Sequence, residues 1–279
     1  LLGVLVVETP LGGAFRGDFA LTAIILFVID WMLCRLARRW RMRLLGRIPM
    51  SSLSTYRLVL MVMSVVVVIF SSILHECAHG YVAYRLGDPT AKNAGRLTLN
   101  PAAHLDPFGS IILPLLMAFM GGPIFAYAKP VPYNPYNLRN HRVGEVLVAL
   151  AGPCCNILQA LVGALLYALV LRGAPIALMG TPSSILAWVA WFLIVFVQVN
   201  LVLAFFNLIP LPPLDGSKVI SLFLSDRALA RYYRMQRYSM VVLLVVLYVV
   251  PMVLDVDILG LYLDATVGNL TDLLLGMTG

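Results

Sequence analysis

Residues 71–82 read SSILHECAHGYV. His75 and His79 stand four apart, so on a helix their side chains leave one face about one turn from each other. Two imidazoles so placed can reach a single metal ion. Glu76 follows the first histidine and is placed to take a proton from a water held there. Zinc suits this set, because imidazole nitrogens are good ligands and a catalytic zinc keeps one position open for water. A lone histidine in an apolar helix is more often a hydrogen-bonded packing residue, and HExxH strings arise by chance in soluble helices. Here that bland reading must also explain three ionisable groups at the end of the apolar run LVLMVMSVVVVIFSSIL, residues 58–74. Within a lipid-spanning helix each such group is costly and usually functional.

Two imidazoles and a water leave one ligand to find. Asp215 is the best candidate, in FFNLIPLPPLDGSK at 205–218. Pro210, Pro212 and Pro213 stop ordinary helical continuation before it. Backbone freed in this way at membrane depth is tolerated only inside protein or beside a wet cavity. A helix-end aspartate at the interface is the competing reading. His104 and Asp106 in NPAAHLDP are rival ligands, but their proline-rich context favours turn and cap duties.

Taken together, HECAHG, AGPCCN at 151–156 and FNLIPLPPLDG resemble the site-2 protease family of intramembrane zinc metalloproteases. The resemblance covers residues 57–225. It implies one catalytic zinc ion held by His75, His79 and Asp215, with Glu76 as the general base. Asn207 matches a family asparagine near the scissile carbonyl, where its amide would hold the oxyanion, and Asn156 matches the polar residue closing the Gly-Pro motif. GRLTLNPAAHLDPFG followed by AKPVPYNP resembles the compact subgroup that has no PDZ or CBS domain. The implied substrate is a membrane-anchored protein, trimmed first by another protease and cut in or near its transmembrane segment. The resemblance also implies an active site nearer the cytosolic side of the cell membrane.

The elements that must position these residues follow from composition. Of 279 residues 61% are hydrophobic and 12% charged, whereas soluble chains are closer to half apolar and a quarter charged. This is an all-α polytopic membrane protein, with a lipid bilayer as its solvent. The net charge of +7, from 20 Lys+Arg against 13 Asp+Glu, fits basic loops that set topology; no nucleic-acid surface is apparent. The dense run CRLARRWRMRLLGR reads as an interfacial anchor. Cys34, Cys77, Cys154 and Cys155 sit in apolar stretches and read as small buried hydrophobes.

A span needs about 20 apolar residues. Candidates are 19–36, 57–76, 145–171, 185–208 and 239–254, giving about five to six transmembrane helices. The stretch 108–135 is interrupted by Pro114, Gly121, Gly122 and Pro123. The tail past Pro251 reads as an amphipathic or partly inserted helix. A shared ion requires the C-terminal ends of 57–76 and 185–208 to lie on one side. Those spans are then parallel, 145–171 runs between them, and 108–135 dips in and returns as a re-entrant loop. GRLTLN is a candidate for a short membrane-associated β element that an unwound substrate could pair with. Organisation divides at 1–50, an N-terminal helix and basic segment, 51–225, the catalytic membrane core, and 226–279, C-terminal helices.

Two other functions compete. A zinc-binding scaffold that has lost hydrolysis is disfavoured by an intact Glu76. A metal or ion transporter would spread ionisable groups over several spans, and here they gather at one depth.

Overall fold

The computed structural model describes residues 50–104, 131–172, 185–235, 238–246, 250–254, 256 and 258–276. The span expected at 19–36, the basic run after it, Cys34, Asp106 and most of 108–135 lie outside these residues. Among the described residues four helices are long and apolar enough to cross a membrane. They are α1, Met50–Arg85; α2, His141–Arg172; α3, Ile185–Asn207; and α4, Ile258–Leu275. Each is a run of aliphatic and aromatic residues that satisfies its backbone internally, as lipid demands.

Helical periodicity sorts the faces. Along α1 the buried positions Ser64, Val67, Ser71, His75 and His79 recur at three- and four-residue steps, while Val62, Val66, Ile69 and Phe70 are exposed where lipid would lie. α3 is buried almost all round from Leu193 to Phe206, so α1, α2 and α4 pack against it. The Tyr262 hydroxyl of α4 donates to the Phe205 carbonyl of α3 at 3.1 Å.

Cross-helix contacts give the directions. Asn200 of α3 meets Ser71 of α1 and Asn156 of α2. Further along α1, His79 meets Val148, which lies earlier in α2. α1 and α2 are therefore antiparallel. Asp215, beyond the end of α3, reaches His75 and His79, so α3 runs parallel to α1, as a shared ion requires. The Arg139 N–H donates to the Leu86 carbonyl at 3.1 Å. The described segment that precedes α2 therefore begins beside the end of α1.

The described residues bear on four further expectations. No strand occurs among the described residues, and GRLTLN forms turns and bends. Gly95 takes a φ of +64°, the Arg96 N–H donates to the Ala91 carbonyl at 3.0 Å, and the Arg96 guanidinium reaches the Ala103 carbonyl. Local turns thus consume groups that a ladder would use. Of the span expected at 239–254, the described residues form helices Ser239–Leu244 and Val250–Leu254, and residues 247–249 lie outside them. The tail, expected as an amphipathic or partly inserted helix, forms the continuous α4, whose middle widens into a π turn over Asp264–Gly268. Of the cysteines, Cys154 is exposed and Cys77 and Cys155 are half-buried, all as free thiols.

α1 stops at a glycine. Gly87 has a φ of +112°, and beyond it the Asp88 N–H turns back to the Ala83 carbonyl at 2.9 Å. Asp88 is buried and clamps two segments. Its Oδ1 accepts from the Thr90 N–H at 3.2 Å and from Asn137 Nδ2 at 2.8 Å. Its Oδ2 accepts from the Asn134 N–H at 2.6 Å. Burial works to raise the Asp88 pKa, but the bonds from Thr90, Asn137 and Asn134 outweigh it and hold the carboxyl below its ordinary 3.8. The folded value lies below the unfolded one, so this stabilisation is complete above the unfolded value and is lost as pH falls through the folded value. Asp88→Ala is expected to cost about 1.5–3 kcal/mol at pH 7. Thermal unfolding in detergent should show the lower Tm, with the gap to wild type closing below about pH 4.

Candidate metal centre

His75 and His79 emerge from one face of α1, with ring centroids 4.6 Å apart and planes at 84°. Each ring turns Nδ1 away from the other. The Nδ1 of His79 donates to the Val148 carbonyl at 2.7 Å. A carbonyl only accepts, so neutral His79 carries its proton on Nδ1 and keeps the lone pair of Nε2. The Nδ1 of His75 meets Asn156 Oδ1. Both Nε2 atoms face one oxygen, Asp215 Oδ2, at 3.1 Å from His75 and 3.3 Å from His79.

Glu76 is also at this point. Ligand atoms of His75, Glu76 and His79 lie within 4.8 Å of one another, a grouping that could hold a metal ion. The two carboxylates are held differently. Asp215 Oδ2 sits between the imidazoles, whereas Glu76 Oε2 accepts from the Val131 N–H at 2.9 Å. Val131 stands between Pro130 and Pro132, so it has the only backbone donor of that tripeptide.

Asp215 arrives by a sharp fold of the chain. After α3 the Leu208 and Ile209 N–H groups close on the Ala204 and Phe206 carbonyls, and the prolines end the helix. Gly216 then lies so close to α3 that a Cβ there would sit 2.2 Å from the Leu208 carbonyl oxygen. The short helix Gly216–Ile220 follows. Lys218 Nζ pairs with buried Glu145 at 3.0 Å in the first turns of α2. The Tyr232 hydroxyl donates to the Ser217 carbonyl at 2.9 Å.

The donor set suits zinc: two imidazoles with Nδ1 occupied, one carboxylate, and a second carboxylate alongside. Gly152 makes room for it. A Cβ at this position would lie 2.4 Å from His75 Nε2 and 2.5 Å from His79 Nε2.

Of the residues singled out in the sequence, His75, Glu76, His79 and Asp215 come together. Asn156 touches His75 Nδ1 and stands one residue behind the ligand atoms. Asn207 is buried at the end of α3, where its Nδ2 donates to the Leu203 carbonyl at 2.9 Å; it does not join the ligand cluster. His104 is buried at the turn, its Nε2 2.8 Å from the Thr98 carbonyl. Sequence reasoning passed over Asp88, Val131, Glu145, Lys218 and Asn200. Asn200 carried a signal, as one of the amide side chains, with Gln198 and Asn207, in a largely apolar helix. Glu145 and Lys218 carried none, because their pairing is across 73 residues. Gly152→Ala is expected to bring bound zinc from about one ion per chain to near none, measured by metal analysis of the purified, folded protein.

The profile of Peptidase family M50 matches residues 170–250, which include Asp215 and Asn207. A Bacillus subtilis (strain 168) protein named "Putative zinc metalloprotease YwhC" is 40% identical over 197 residues, 71% of this chain and 84% of that protein. A Mycolicibacterium smegmatis protein named "Putative zinc metalloprotease Rip2" is 32% identical over 151 residues, 53% of this chain and 52% of its own. A Methanocaldococcus jannaschii protein, "Putative zinc metalloprotease MJ0611", is 27% identical over 169 residues, 61% of this chain and 74% of its own. No solved structure matches the chain. An integral membrane protein with this imidazole–carboxylate cluster and these relatives, the chain belongs to peptidase family M50, the site-2 zinc metalloproteases.

Proposed function

We propose that the protein is an intramembrane zinc metalloprotease of the cell membrane. It hydrolyses peptide bonds in or near the transmembrane segments of membrane-anchored substrates that another protease has already trimmed. One observation carries this reading: the Nε2 atoms of His75 and His79 converge on Asp215 Oδ2 at 3.1 and 3.3 Å, with Glu76 beside them.

His75, His79 and Asp215 hold one catalytic ion. Zinc bound there supplies Lewis acidity and lowers the pKa of a coordinated water to about 7. Glu76, oriented by the Val131 N–H, accepts the proton of the attacking water and returns it to the leaving nitrogen. Asn207 gives one amide hydrogen to Leu203, which leaves its second for the developing oxyanion; one such donor is worth about 10²–10³ in rate. A substrate helix hides its amides in its own hydrogen bonds, so it must unwind before attack. Arg85, Lys92, Arg139, Arg142 and Lys218 all belong to the end of the bundle that holds the site. By the preference of basic residues for the cytosolic face, that end lies nearer the cytosol. A non-hydrolysing scaffold would not need Glu76 poised at the ligand cluster.

The test uses the purified chain in liposomes with a single-span substrate. Glu76→Gln is expected to keep its zinc yet lose about 10²–10⁴-fold in cleavage rate, and a zinc chelator should stop wild-type cleavage. Undiminished cleavage by Glu76→Gln rejects the assigned base, and cleavage by a zinc-free preparation rejects the metal centre.

A further inference from the structure

Asn200 lies in α3, outside contact with the ligand cluster, and is wholly buried, as are Ser71 and Asn156. Its Nδ2 donates to the Phe196 carbonyl at 2.9 Å and to Ser71 Oγ at 3.0 Å. Its Oδ1 accepts from Asn156 Nδ2 at 2.9 Å. Asn156 Oδ1 in turn meets Nδ1 of His75. One hydrogen-bonded line thus joins a backbone carbonyl of α3 to an imidazole of α1 by way of α2.

The two ends of an amide are alike in shape and opposite in hydrogen bonding. With Oδ1 of Asn156 towards the ring, His75 bears its proton on Nδ1 and presents the lone pair of Nε2 to a metal. With the NH₂ turned there, Nδ1 becomes the acceptor, the proton sits on Nε2, and the ligand is lost. Asn156 has no internal reason to choose. The Phe196 carbonyl decides, because it can only accept. It draws the NH₂ of Asn200, which leaves Asn200 Oδ1 facing α2. Asn156 must then offer its NH₂ to Asn200 and its oxygen to His75.

We propose that Asn200 is a positioning residue of the metal centre, carrying the acceptor-only character of the Phe196 carbonyl through Asn156 to the ring of His75. The inference rests on His75 being a metal ligand, as argued under Proposed function. His79 needs no such line, since the Val148 carbonyl meets its Nδ1 directly. Ser71 follows the polarity rather than setting it, because a hydroxyl can donate or accept.

The experiment measures zinc dissociation constants of the purified full chain in detergent, by competition with a chromogenic chelator. Melting of the metal-stripped proteins is recorded alongside. Asn200→Leu is expected to bind zinc about 10–100-fold more weakly than wild type, with Asn156→Leu similar. The double variant should bind no more weakly than Asn156→Leu alone, because Asn200 acts only through Asn156. Ser71→Ala should stay within about threefold of wild type, since it leaves the Phe196 carbonyl in place. A merely structural role would move the melting temperatures and leave zinc affinity alone. Zinc binding by Asn200→Leu within about twofold of wild type, or losses that multiply in the double variant, overturns the proposal. If Asn200→Leu does not fold, Asn200→Ala makes the same comparison with less added bulk. Wild-type protein that binds no zinc instead defeats the metal-centre reading, so the two failures are distinct.

Discussion

An imidazole buried between membrane helices has two nitrogens to satisfy, and a metal can use only one. The rest of this structure depends on what meets the other. Water is scarce at that depth, so Nδ1 must find an acceptor in the protein or be left at a cost. α2 supplies both acceptors, the Val148 carbonyl for His79 and the Asn156 amide for His75. They reach the rings only because Gly152 lets α2 approach α1 where any side chain would strike the imidazoles. Close helix packing and ligand orientation are thus one requirement at this point, met by a residue with no side chain.

Convergence on Asp215 adds a second constraint. A carboxylate beyond the end of α3 stays between two imidazoles only if the chain after the prolines cannot swing. Gly216 pressed on the Leu208 carbonyl fixes one side, and Lys218 paired with Glu145 fixes the other. That ion pair ties the loop after α3 to the start of α2, the same helix that orients the histidines. Removing either partner would take away this tie between the loop and α2.

The sequence made the chemical core legible because its signals were local. HExxH fixes two ligands and a base on one helical face, and the apolar runs mark α2 and α3 nearly to their ends and the middle of α1. The parallel course of α1 and α3 also followed, from the need for one shared ion. What escaped was non-local or depended on punctuation. GRLTLN has the look of a strand, but Gly95 and Arg96 close turns with residues just before and after it. The tail reads as an amphipathic or partly inserted helix, and what spacing could not foresee is that α4 packs along α3 through Tyr262. Asp88 was hidden in a glycine–aspartate–proline turn, where its bonds to Asn134 and Asn137 cannot be foreseen from spacing.

The backbone bond from Arg139 to Leu86, reinforced by Asp88 on Asn134, closes a ring of chain at the mouth of the centre. Described residues inside that ring reach back to the helix that bears the histidines: the Val131 N–H donates to Glu76 Oε2 at 2.9 Å, and Cys77 Sγ lies 3.1 Å from the Thr98 carbonyl. Lengthening such a loop costs only slowly growing closure entropy. Its sequence and length are therefore open to change, provided the backbone donor that steadies Glu76 is kept.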